Sequence, residues 1–127
     1  MSIDSVQWGT MIGTMLTKPF ALLSSDWESS RPNFNPHIFK NGSTTGFSNA
    51  TLLNSGHASF MDIPLMINWS LINESGTIDP VKSYEITNTM VLRFFDNYLL
   101  NKPHHLLDIQ ETNPEIEIEL INTKLIQ

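Results

Sequence analysis

His57 stands in the stretch TLLNSGHASFMDIP, just after a short apolar run and a few small or polar residues. An imidazole here can carry protons, or it can be an ordinary hydrogen-bonding loop residue. A proton carrier needs a rigid strand beneath it and a carboxylate that orients its ring. The run ATLL, residues 50–53, supplies the strand, and Asn54, Ser55 and Gly56 supply a tight exit with little steric bulk. Three aspartates compete for the partner role. Asp4 follows Ser2 and Ile3, which read as the end of a strand. Asp26 lies just past the apolar run of PFALLSS. Asp62 is so close in sequence to His57 that it reads as a cap or loop residue. Asp4 is preferred: one strand lies between it and His57, which suits neighbouring parallel strands whose C-terminal ends meet in one crevice.

Other chemistries are poorly served. The chain has no cysteine, so it has neither disulfides nor thiolate ligands nor a thiol nucleophile. His37 sits among Asn and Pro, and His104 and His105 are adjacent, so their side chains diverge. With no His-x-x-x-His spacing, no metal site is expected. The formal net charge is −6 and the seven Lys and Arg residues are spread singly, which leaves no basic patch for phosphates. Nucleic-acid binding is therefore not expected. No apolar run approaches the roughly 20 residues that span a membrane. The opening MSIDSVQWG has no basic and apolar regions of signal-peptide type. The compartment stays open.

The elements that must position these residues follow an α/β rhythm. The 127 residues fit one domain or part of a larger one, and 40% hydrophobic residues suffice for a core. Trp8–Leu16 has helix-like spacing that Lys18 and Pro19 stop. Residues 19–25, PFALLSS, read as a short strand of a parallel sheet covered on both faces. Residues 24–48 are rich in Ser, Asn, Pro and Gly and read as a long loop with one helical turn near His37–Lys40. Asp79 and Pro80 open the clearest helix, which Asn101 and Pro103 end. Tyr84, Val91, Phe95 and Tyr98 form one apolar line on it, and Ile86, Met90 and Phe94 form another, so it is expected to be largely buried against a sheet. In the tail PEIEIELINTKLIQ, Glu115, Glu117 and Glu119 alternate with Ile116, Ile118 and Leu120, the period of an amphipathic strand. FMDIPLMINWSLI, beside the histidine, reads as a core helix; the alternative is a lining for an apolar pocket or a contact with a membrane surface.

Taken together, IDSVQWG, KPFALLSSD, GHASFMDIPLM and GTIDPVKSYEITNTMVLRFFDNYLL, in that order, resemble the C-terminal part of the α/β-hydrolases of the platelet-activating-factor acetylhydrolase and dienelactone-hydrolase-like branch. The resemblance covers roughly residues 2–108. It implies an α/β fold of short parallel strands with covering helices, without the N-terminal half of the hydrolase. It divides the chain into a hydrolase part, 1–108, and a strand-like tail, 109–127. Residue by residue, it implies that His57 is the general base that activates a serine and later protonates the leaving alcohol. Asp4 is implied as the acid that orients the imidazole; Asp26 remains its rival, since many other α/β-hydrolases place the acid after the strand that precedes it. The order Asp then His agrees with the order of this fold.

The nucleophile is the departure from the pattern. The fold carries its serine in a G-x-S-x-G elbow ahead of the acid, and these residues contain none. GSTTG, Gly42 to Gly46, comes nearest, but it follows Asp4 and no apolar strand precedes it. Two functions follow as expectations. One is the acid–base part of a serine esterase acting on lipid-like or small esters, with no cofactor or metal. The other is a non-catalytic module that self-associates through an exposed strand edge, for instance along Glu115–Leu120.

Overall fold

The structure is a computed structural model that describes residues 1–4, 17–26, 46–67, 76–102 and 105–121. The expected helix at Trp8–Leu16, most of the loop expected over 24–48 with His37 in it, and His104 lie outside the described residues.

Among the described residues four strands form one sheet in the order β1-β2-β3-β4. β1 is Ser2–Ile3, β2 is Phe20–Ser25, β3 is Phe47–Leu52 and β4 is Ile116–Ile121. The first three are parallel and β4 runs antiparallel beside β3. This is a mixed α/β fold with a mostly parallel sheet. β2 reads FALLSS because it is buried on both faces: every residue from Ala21 to Ser25 is buried. β3 starts at Phe47 rather than at the apolar run Ala50–Leu53, because the β2 ladder reaches back to Phe20 opposite Phe47. The rings of these two phenylalanines stack with centroids 6.1 Å apart.

One face of the sheet carries Ala21, Leu23, Ala50, Leu52, Ile116 and Ile118 into the core. The glutamates that alternate with the isoleucines in β4 point the other way, and Glu117 and Glu119 are exposed. A short 3-10 turn, His57–Phe60, and a single helical turn α1, Ile63–Met66, follow β3. The long helix α2, Pro80–Leu99, and the short α3, Leu107–Thr112, follow among the described residues. Asp79 caps α2 by accepting the Lys82 amide at 2.9 Å. Ile86, Met90 and Phe94 from α2, with Leu106 and Ile109, cover the core face. Each large apolar side chain so buried contributes about 1.5–3 kcal/mol.

Two expectations need correction. α2 buries one face, not two: Leu92, Phe95 and Leu99 are exposed, as is Tyr84. Ile86, Met90 and Phe94 already fill the side toward the sheet, and no described element packs on the other. The stretch after the histidine is no core helix in its described part. α1 is only one turn long and buries Pro64, while Ile63, Leu65 and Ile67 are exposed and Met66 is 80% exposed. A single turn is too short to present a continuous apolar face. Among the described residues, no helix is long and apolar enough to cross a membrane.

On β4, one edge is taken by β3, and the Ile118 amide on the strand donates to Gln110 Oε1 at 2.7 Å.

Candidate active site

The sheet brings Asp4 and His57 into contact. Asp4 is the first residue past β1, and its amide still donates to Leu23 O of β2 at 2.7 Å. Its φ of 44° is left-handed, a conformation that aspartate tolerates better than most residues. That turn carries the carboxylate inward, where the side chain is 1% exposed. Asp4 Oδ2 lies 2.5 Å from His57 Nδ1. Asp4 Oδ1 accepts two further hydrogen bonds, from the Ser25 amide at 2.7 Å and the Ser25 hydroxyl at 2.8 Å.

The two residues do not come from neighbouring strands. β2 lies between β1 and β3, so acid and imidazole meet across the tip of the middle strand. The side-by-side arrangement expected from sequence is corrected here.

His57 is held from below by a set of short bonds. Asn54 adopts a left-handed φ of 56° after β3. Its amide donates to Asp26 Oδ2 at 3.0 Å, and its carbonyl accepts the amides of Thr77 and Ile78 at 2.7 and 3.0 Å. Ser55 pairs with Gly76 in an antiparallel bridge, and its hydroxyl donates to Leu52 O at 2.6 Å. Gly76 has φ +70°, and a β-carbon there would lie 2.2 Å from Asn54 O. Only glycine fits that approach without displacing backbone. The Gly56 amide donates to Ser59 Oγ at 3.1 Å, and the buried Ser83 of α2 donates its hydroxyl to Ser59 O at 2.8 Å. The turn that begins with His57 is therefore tied to both the sheet and α2.

The imidazole spans a gradient of exposure. Nδ1 faces a buried carboxylate, yet the His57 side chain as a whole is 42% exposed. Among the described residues Nε2 has no partner. A carboxylate on Nδ1 fixes the tautomer with its lone pair on Nε2, which can take a proton from a hydroxyl that approaches the open side of the ring.

Of the rivals, Asp26 is engaged with the turn at Asn54, and Asp62 stands at the start of α1 without a capping bond from its side chain. The described part of GSTTG is Gly46, which precedes β3. Sequence reasoning placed Ser55 in the exit from β3 but missed Ser25, Ser83 and Gly76. Small residues at strand ends and beside loop corners were the available signal, and the pairing register that gives them meaning was not in the sequence. Among the described residues no cluster of His, Asp and Glu can hold a metal ion.

No family model matches the chain, and no curated protein matches it either. Among solved structures it is similar to a ferulic acid esterase from Streptomyces cinnamoneus, with a TM-score of 0.69 and 24% identity over 82% of this chain. The chain spans about a third, 34%, of the length of that esterase. The likeness is one of fold: a mixed α/β arrangement matching part of an esterase of α/β-hydrolase architecture.

Proposed function

We propose that this chain supplies the acid–base pair of a carboxylic-ester hydrolase. His57 is its general base and Asp4 the carboxylate that orients and stabilises it. The observation that carries the reading is the 2.5 Å contact between a fully buried carboxylate and an imidazole whose far side is open. The likeness of fold to an esterase supports it, as does the Asp-then-His order.

The serine and the oxyanion donors come from residues outside these 127. As the serine oxygen attacks the ester carbonyl, its proton passes to His57 Nε2, while Asp4 Oδ2 stabilises the imidazolium through the Nδ1 proton. Collapse of the tetrahedral intermediate breaks the carbonyl–alkoxide bond, and the same Nε2 proton goes to the departing alcohol. A water then repeats the sequence and frees the acid. The reaction requires neither metal nor cofactor.

The substrate class is a lipid-like ester, as in the platelet-activating-factor acetylhydrolase-like branch that the sequence resembles. The exposed Met61, Ile63, Leu65, Met66 and Ile67, close behind the histidine, support that choice. The competing reading, an interaction module built on the tail strand, rests only on the place of β4 at the end of the sheet order, with one edge toward β3.

The test is hydrolysis of p-nitrophenyl acetate and of a short-chain acyl phospholipid by the protein in its full coding context. His57→Ala should lower kcat by roughly 10⁴–10⁶-fold. Undiminished turnover in that variant ends the esterase reading. Turnover of the acetate without the phospholipid ends the lipid part alone.

A further inference from the structure

We propose that Ser25 and Asp26, consecutive residues at the tip of the middle strand, are the positioning residues of the Asp4–His57 pair. Their role rests on the acid–base reading of that pair and adds to it what holds the two groups in register.

Acid and base arise on strands that do not touch. β1 carries Asp4 and β3 leads into His57, and β2 stands between them. Whatever fixes their separation must pass through the end of β2. Ser25 closes one side of that bridge. By strand alternation it shares the face of Ala21 and Leu23, and it lies opposite Leu52. That face is otherwise apolar, and Ser25 is 1% exposed. A hydroxyl in such a place is costly unless it is bonded. Its bond goes to Asp4 Oδ1, alongside the bond from its own amide. The two donors occupy Oδ1 and leave Oδ2 as the oxygen offered to the imidazole. Rotation of the carboxylate would break both bonds at once in a site closed to water.

Asp26 closes the other side. Its Oδ2 accepts the Asn54 amide at 3.0 Å, at the corner where the chain leaves β3 for His57. One residue thus grips the acid, and the next grips the turn that carries the base. From its place after β2, Asp26 rivals Asp4 as the acid; its geometry assigns it to the support of the turn.

The experiment is NMR of this chain with labelled histidine and backbone amides. The hydrogen-bonded Nδ1 proton of His57 should give a low-field resonance that exchanges slowly with water and is lost in Asp4→Ala. Ser25→Ala and Asp26→Ala should each keep the resonance but speed its exchange by about tenfold, the factor expected when one hydrogen bond to a charged group is lost. In Asp4→Ala the Ser25 amide should lose protection by a similar factor while the Leu22 amide in the β2 ladder does not. That reciprocal reading stands even if Ser25→Ala fails to fold. A wild-type chain without the low-field proton, or one whose proton survives Asp4→Ala, overturns the acid–base reading itself. A resonance that depends on Asp4 but is indifferent to both variants, or an unchanged Ser25 amide, overturns the positioning role and leaves the pair standing.

Discussion

His57 Nδ1 and Asp4 Oδ2 lie 2.5 Å apart although 53 residues separate them in sequence. Neither residue could reach the other from an isolated segment. The contact exists because three parallel strands end at the same edge, with β2 fixing how far β1 stands from β3. Burial then divides the labour. The carboxylate is closed off from water, so its bond to the imidazole is not weakened by competing solvent, while the ring extends outward where a reacting group can approach.

Asp4→Asn should separate geometry from chemistry. Asparagine also tolerates a left-handed backbone, so the turn after β1 should persist and the melting temperature should move little. The amide can present its NH₂ to Nδ1 and select the wrong tautomer, and hydrolysis should fall by about 10⁴-fold in kcat. Asp4→Ala should lose as much activity and in addition cost at least about 2 kcal/mol, since alanine is strained at a positive φ and the buried Ser25 amide and hydroxyl lose their acceptor. Parallel kinetics and thermal melts of the two variants check both parts.

Patterning alone makes part of this legible. FALLSS is apolar and lacks helical length, which marks a buried strand, and the Glu–Ile alternation of residues 115–120 fits one wet face and one dry face. The Asp79-Pro80 start marks the long helix. Other features were beyond it. β1 is two residues long and carries no periodicity, so its place as the outer neighbour of β2 could not be read even where its strand end was. Tyr84 and Phe95 have the same spacing whether a partner covers them or water does, so exposure of that face of α2 was not readable. Ser25 looks like any strand-end serine until register sets it beside Asp4, 21 residues away. The placing of Asp4 against His57 drew on strand-tip logic and family likeness, since spacing alone does not distinguish Asp4 from Asp26.

Gly76→Ala should damage the site from a distance. The residue combines a φ of +70° with a β-carbon position 2.2 Å from Asn54 O, which is backbone and cannot swing aside. Strain of this kind costs on the order of 1–3 kcal/mol before the clash is counted. Relief requires the Ser55–Gly76 bridge to open, and that loosens the turn into His57. Chemical denaturation should show a loss of at least about 2 kcal/mol, and amide exchange at Thr77 and Ile78 should accelerate. Wild-type stability in this variant would mean that the bridge does not brace the histidine turn.

The two faces of α2 predict opposite responses to the same truncation. Met90 is fully buried between the helix and the sheet, and Met90→Ala should cost about 2–5 kcal/mol. Leu92, two positions on, is 65% exposed, and Leu92→Ala should stay within about 0.5 kcal/mol. Urea melts of the two variants give the comparison directly. A large cost at Leu92 would mean that its face is covered in solution.

Tyr98 should set an alkaline limit on stability. Its ring packs against Phe94 at 4.9 Å between centroids, and burial raises its phenol above the ordinary value of 10.0. Below that value folded and unfolded chains both hold the proton, so the contribution to stability is complete. As pH rises past it the unfolded chain ionises first, and stability is lost progressively until the folded phenol ionises as well. Tyr98→Phe keeps the ring and removes the titration. Denaturation midpoints measured from neutral pH upward should therefore fall less steeply above pH 10.0 for the variant than for the parent, and coincide in shape below it. Parallel curves throughout would show that the phenol is as well solvated in the folded chain as in the unfolded one.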